Sequence, residues 1–175
     1  MSSITIKESV RTEAPFDVAE RPMLESWLDY HRETLAWKCS GLTADQLKER
    51  SVAPSRLSLL VLLRHMTKVE WFWFGRILSG ADPPALYVSR DGHEPDFEDL
   101  DDSPPKDVYS LWETATAEAR RFAAAVDSLD QRAQKNPWME PPSLRWIMLH
   151  MIEEYARHNG HADFLRECID GSTGD

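Results

Sequence analysis

The longest apolar block in the chain runs from Ser58 to Leu78 and reads SLLVLLRHMTKVEWFWFGRIL. It is too long for one strand, and its polar residues Arg64, Thr67, Lys68 and Glu70 are too few to coat a whole side. This predicts a central helix over 58–79, buried on more than one face. Three further long helices follow from weaker patterns. Leu24, Trp27, Leu28, Leu35 and Trp37 keep loose helical spacing over 22–40, with Pro22 suited to a first helical position and Gly41 to a stop. Val108, Leu111, Trp112, Ala115 and Phe122 form an inward stripe over 105–128. A last helix over 143–169 has Ser143 as its N-cap and Gly171 just beyond its end. Thr43 to Gln46 reads as a capping box that opens a short extra helix to about residue 50.

The connections are as informative as the helices. Residues 80–105 are rich in Pro and Asp and make a long acidic loop between the second and third long helices. Loops of this length are often functional, so the stretch from Asp96 to Asp102 is either a lid or a solubilising segment. No strand pair, phosphate-binding glycine loop or internal repeat is evident. The expected fold class is all-α, a four-helix bundle over 21–170, with a polar lead-in at 1–20 and a tail at 171–175.

Composition narrows the function. A chain of 175 residues suits one domain. Its net charge of −10, with no compensating cluster of Lys and Arg, argues against nucleic acid and against anionic lipid as partners. No run approaches the ~18 apolar residues that a membrane span needs. The first residues lack the apolar core of a signal peptide. Two well-separated cysteines, Cys39 and Cys168, fit a reducing compartment. A cytoplasmic protein is expected.

The candidate chemistry lies in HMIEEYARHNGHADFLRE, residues 150–167. On a helix, His150, Glu154, His158 and His161 fall within an arc of roughly 80°, at the margin of the apolar face that holds Ile147, Met151 and Leu165. Clustering such groups beside a core is costly unless a cation resolves it. Imidazole and carboxylate are good ligands for zinc and its first-row neighbours, and a pair at i and i+4 supplies two of them. His65, the sole histidine in the central helix, could supply a third. Each segment also has a plainer reading: His65 as a hydrogen-bonded core residue, and Glu154–His158 as an ordinary i,i+4 contact. Arg157 and Asp163 fall on the flank away from the apolar arc, as solvated charge, as a structural ion pair or, for Arg157, as a contact to a bound group. Trp71 and Trp73 are expected in the core. His31 and His93 are read as surface or loop residues.

Three segments together, LDYHRETLAWKCSGLTADQL, LSLLVLLRHMTKVEWFWF and RHNGHADFLRE, resemble the DinB-like superfamily. More closely they resemble its actinobacterial mycothiol S-transferase-like branch, formerly a domain of unknown function, over roughly residues 20–170. The resemblance implies a bundle with a divalent metal, zinc or nickel, at one end, held by His65, Glu154 and His158. Many relatives carry His at the position of Glu154; mycothiol-dependent maleylpyruvate isomerase is similar to this chain in pairing one Glu with two His. His161 falls where many DinB-like proteins carry Gln close to the metal, and is the implied catalytic candidate. Arg157 is the candidate for contact with an anionic thiol cofactor. The implied activity is a metal-dependent transferase that joins a low-molecular-weight thiol, mycothiol or bacillithiol, to a small electrophile. Cys39 and Cys168 are then structural, and a homodimer is compatible with relatives. The competing class is a non-catalytic metal-containing bundle that binds a small ligand or a protein partner.

Overall fold

A computed structural model describes residues 6, 10–82, 84, 96, 97, 99–136 and 140–174. Among them the secondary structure is helical, apart from one isolated bridge between Arg132 and Ser143. The elements are α1 (Glu20–Cys39), the short α2 (Ala44–Lys48), α3 (Leu59–Glu70) continued by a π-helical segment (Trp71–Leu78), α4 (Pro105–Ala124) and α5 (Leu144–Asp170). None of these helices is long and apolar enough to cross a membrane. His93 and half of the acidic loop lie outside the described residues.

Local signals set the helix ends. Thr43 and Gln46 form the reciprocal capping box that opens α2. The Ser58 and Ser143 hydroxyls each accept a backbone N–H, from Val61 and Trp146, and so start α3 and α5. Gly171 closes α5 at φ +76°, a left-handed conformation that glycine adopts without penalty. Helix α1 departs from expectation by starting at Glu20, which puts Pro22 third in the helix. That position is tolerated because the first-turn N–H groups have no intrahelical acceptor to lose.

The four long helices pack as an all-α bundle, with α1 mainly along α5 and α3 along α4. Leu59, Leu60, Val61, Leu62 and Leu63 are all fully buried, so α3 is apolar on every side that its first turns present. The stripe on α4 is Val108, Trp112, Ala115, Ala119 and Ala123, whereas Leu111 is turned outward and 39% exposed. The lead-in adds more than polar chain, for Ile6 belongs to the core and the Thr12 amide donates to Glu33.

One polar network crosses the core. The Arg32 guanidinium donates to both carboxylate oxygens of Glu70, at 2.7 and 2.8 Å. Tyr155 donates its hydroxyl to Glu70 at 2.8 Å, and the Trp112 indole donates to the Tyr155 oxygen at 3.1 Å. These four buried residues come from α1, α3, α5 and α4, so one network ties the long helices in register. Burial and the neighbouring Glu70 charge push the Tyr155 hydroxyl well above its ordinary range, which keeps it a neutral donor. Tyr155 directly follows Glu154, and the network thereby fixes the turn of α5 that carries the candidate ligand.

Candidate metal centre

His65 sits midway along α3, and Glu154 and His158 lie one turn apart on α5, the helix packed against it. Packing brings the three side chains together. Glu154 Oε2 lies 3.5 Å from His158 Nε2 and 4.0 Å from His65 Nε2, and one ligand atom from each residue falls within 4.8 Å of the others. Donor atoms at ~2.1 Å from a tetrahedral ion stand about 3.4 Å apart. The two Glu154 sides of the triangle, at 3.5 and 4.0 Å, are at or somewhat beyond that spacing, so the donor set fits a divalent ion once the side chains close in on it.

The far side of each imidazole is engaged as well. His65 Nδ1 lies 3.4 Å from Asp96 Oδ2, and His158 Nδ1 lies 3.3 Å from His161 Nδ1. Both rings therefore present Nε2 to the shared point and Nδ1 to an outer partner, the arrangement that orients metal-ligating histidines. Burial pushes the His158 imidazole down to about 4, helped by the positive charge of His65, His161 and Arg157. A neutral imidazole at neutral pH is the ligand form.

Asp96 was not singled out from the sequence. It is 6% exposed, and Lys68 donates to it at 3.0 Å. Burial alone would raise its carboxyl pKa, but hydrogen bonds from His65 and Lys68 outweigh that and lower it. The unusual length of the acidic loop was the available signal; which Asp would turn inward was not readable.

A second grouping, His150, Glu153 and Glu154, shares Glu154. His150 Nε2 is 3.7 Å from Glu154 Oε1. Arg157 already neutralises this side, paired with Glu153 and 3.9 Å from Glu154 Oε1, so the grouping around His65 is the better cation site. Arg157 lies on the exposed flank, as does Asp163, which pairs with Lys38 at 2.6 Å.

A pocket of about 570 Å³ opens beside the triangle, with His65 and His158 in its wall. Leu57, Val61, Leu62 and Val69 make its aliphatic side, and Trp71, Phe72, Trp73 and Phe97 its aromatic side. Lys68, Arg76 and Asp96 supply charge. This corrects the expectation for Trp71 and Trp73, which are half-buried pocket walls rather than core. The helix turns π-helical at Trp71, and the wider turn re-aims the aromatic run; such segments recur at functional sites. Cys39 is buried and its thiol is pushed up to about 12 by desolvation. Cys168 is exposed, contrary to a structural role, and neither thiol lines the pocket. His31 is also not a plain surface residue, because it packs against Asn159 and burial lowers its pKa.

A family model described as mycothiol-S-transferase matches residues 23–171, from the first turn of α1 to the end of α5. No curated protein and no solved structure matches the chain.

Proposed function

The chain belongs to the mycothiol S-transferase family, and from that premise we propose that it transfers the sulfur of a low-molecular-weight thiol, mycothiol, to a small electrophile at a divalent metal centre. The observation that carries this reading is the convergence of His65, Glu154 and His158 at the wall of a largely apolar pocket. Three protein ligands leave a coordination position open, as in catalytic rather than closed structural sites. When bound, the ion would supply Lewis acidity that favours the deprotonated form of a thiol, which is the nucleophilic form.

The protein's own groups have separate tasks in this reading. Asp96 accepts from His65 Nδ1, and His161 engages His158 Nδ1, so each leaves an Nε2 lone pair aimed at the site. His161 thus acts through His158, as a positioning residue rather than a catalytic one. Arg157 balances the charge of Glu153 and Glu154 and does not line the pocket. The aromatic wall keeps water from the reacting sulfur and holds an apolar electrophile. In the transfer, the thiol gives up its proton to solvent and a C–S bond forms at the electrophilic carbon. The bond to the leaving group breaks, and the leaving group departs with the electron pair.

The test uses cobalt as a spectroscopic substitute for the native zinc or nickel. Titration of the cobalt protein with mycothiol should raise a sulfur-to-metal charge-transfer band, and mycothiol should then support conjugation of monochlorobimane. Bacillithiol and glutathione serve as comparisons. His65→Ala should lose the band. A full equivalent of cobalt with no band from any thiol would refute the transferase reading and favour a non-catalytic metal-containing bundle.

A further inference from the structure

A second pocket of about 400 Å³ lies beside the first, and Trp73 lines both. Its other aromatic wall is Trp146, which is 47% exposed. The two indoles stand 5.1 Å apart, and His150 braces them, stacked on Trp146 at 5.0 Å and edge-on to Trp73 at 4.8 Å. The half-exposed Trp146 indole is thus held in place by aromatic neighbours while part of its surface faces the pocket. The rim is polar. Arg132 and Glu140 face each other at 3.9 Å, and Ser143 closes one end.

We propose that this second pocket takes the carbohydrate body of the thiol cosubstrate, with Trp73 and Trp146 as its stacking surface. The proposal rests on the thiol-transfer reading above and locates the cosubstrate within it. Three observations carry it. First, the chemistry matches. A pyranose or inositol ring offers a C–H-rich face to an indole while its hydroxyls need donors and acceptors at the edge, as Arg132 and Glu140 provide. Second, the first pocket suits the other substrate. Away from its Lys68, Arg76 and Asp96 edge, a polyol placed against Val61, Leu62 and Phe72 would leave hydroxyls without partners, whereas an apolar electrophile would not. Third, the reach is right. Trp146 lies eight residues before Glu154 on the same helix, about 12 Å along its axis. A cysteinyl thiol with its sulfur at the triangle and its amide passing Trp73 would set glucosamine and inositol over this stretch.

The ligand that isolates the idea is N-acetylglucosaminyl-inositol, the carbohydrate body with its amide and without its sulfur. Calorimetric titration of the metal-loaded full chain should show binding. Trp146→Ala should weaken it about tenfold, as loss of a stacking tryptophan does, and Trp146→Phe should restore most of it. Trp146 is exposed, so unchanged metal content and circular dichroism are expected in both variants. In turnover, the preference in kcat/KM for mycothiol over N-acetylcysteine should shrink about tenfold in Trp146→Ala. Failure of the wild-type protein to bind the sulfur-free ligand, or equal binding by Trp146→Ala, overturns the proposal. Conjugation that proceeds without any dependence on Trp146 sinks this proposal alone. Carbohydrate binding without conjugation sinks the transferase reading alone.

Discussion

Asp96→Ala is the most informative single change, because it tests whether the acidic loop serves the candidate metal centre. Asp96 Oδ2 is the outer partner of His65 Nδ1 at 3.4 Å, and the carboxylate is nearly inaccessible to water. Loss of a carboxylate behind a ligating histidine costs about 10–100-fold in metal affinity, or about 1.4–2.7 kcal/mol. Two features place the expected loss at the lower end. The contact is long, and Lys68 shares the same oxygen at 3.0 Å. Asp96→Ala should therefore weaken zinc binding about tenfold. Lys68→Ala removes the competing donor and leaves the His65 contact, so its affinity should match or slightly exceed that of the wild type. Competition against a chromophoric chelator at fixed neutral pH measures both variants, with circular dichroism as the control for folding. A folded Asp96→Ala protein that binds zinc within about twofold of the wild type would show that Asp96 does not orient His65.

The remaining predictions concern stability. Arg32→Met leaves the Glu70 carboxylate buried without its bidentate partner and should cost about 3–5 kcal/mol in urea unfolding. Adding Glu70→Leu should recover most of that loss; a single-variant cost under about 1 kcal/mol would mean that the network does not tie the helices. The metal-free protein should lose stability as the pH falls from about 6.5 toward about 4. In that window the unfolded chain protonates His158 and the folded chain does not, while above it the imidazole is neutral in both states and contributes nothing. His31, also lowered by burial, acts with the same sign. His158→Gln should flatten the urea midpoint across this window, and an unchanged slope would remove His158 as its source.

Helix identity was legible because it rests on local physics. Thr43 and Ser143 are side chains that satisfy first-turn amides within three residues, and Gly171 supplies a left-handed stop. The unbroken apolar run Leu59–Leu63 announced a helix buried on more than one face. Helical periodicity also placed Glu154 and His158 on one face, since i,i+4 spacing is a property of the chain alone.

What the sequence did not determine depends on which surfaces meet. Glu70 read as one of a few polar residues on α3; only the approach of α1, α4 and α5 made it the centre of a buried network with Arg32, Tyr155 and Trp112. Trp71 and Trp73 belong by composition in a core, yet the π-helical turn set them along a pocket. Asp96 was one acid among several in its loop until the fold carried it to His65 and Lys68. Helical spacing likewise could not say that His161 would meet the far nitrogen of His158 instead of the point shared by His65, Glu154 and His158. Capping and periodicity act over a few residues and are written in order along the chain. Partners in the site come from residues up to about ninety positions apart, and the packing of whole helices decides which of them face one another.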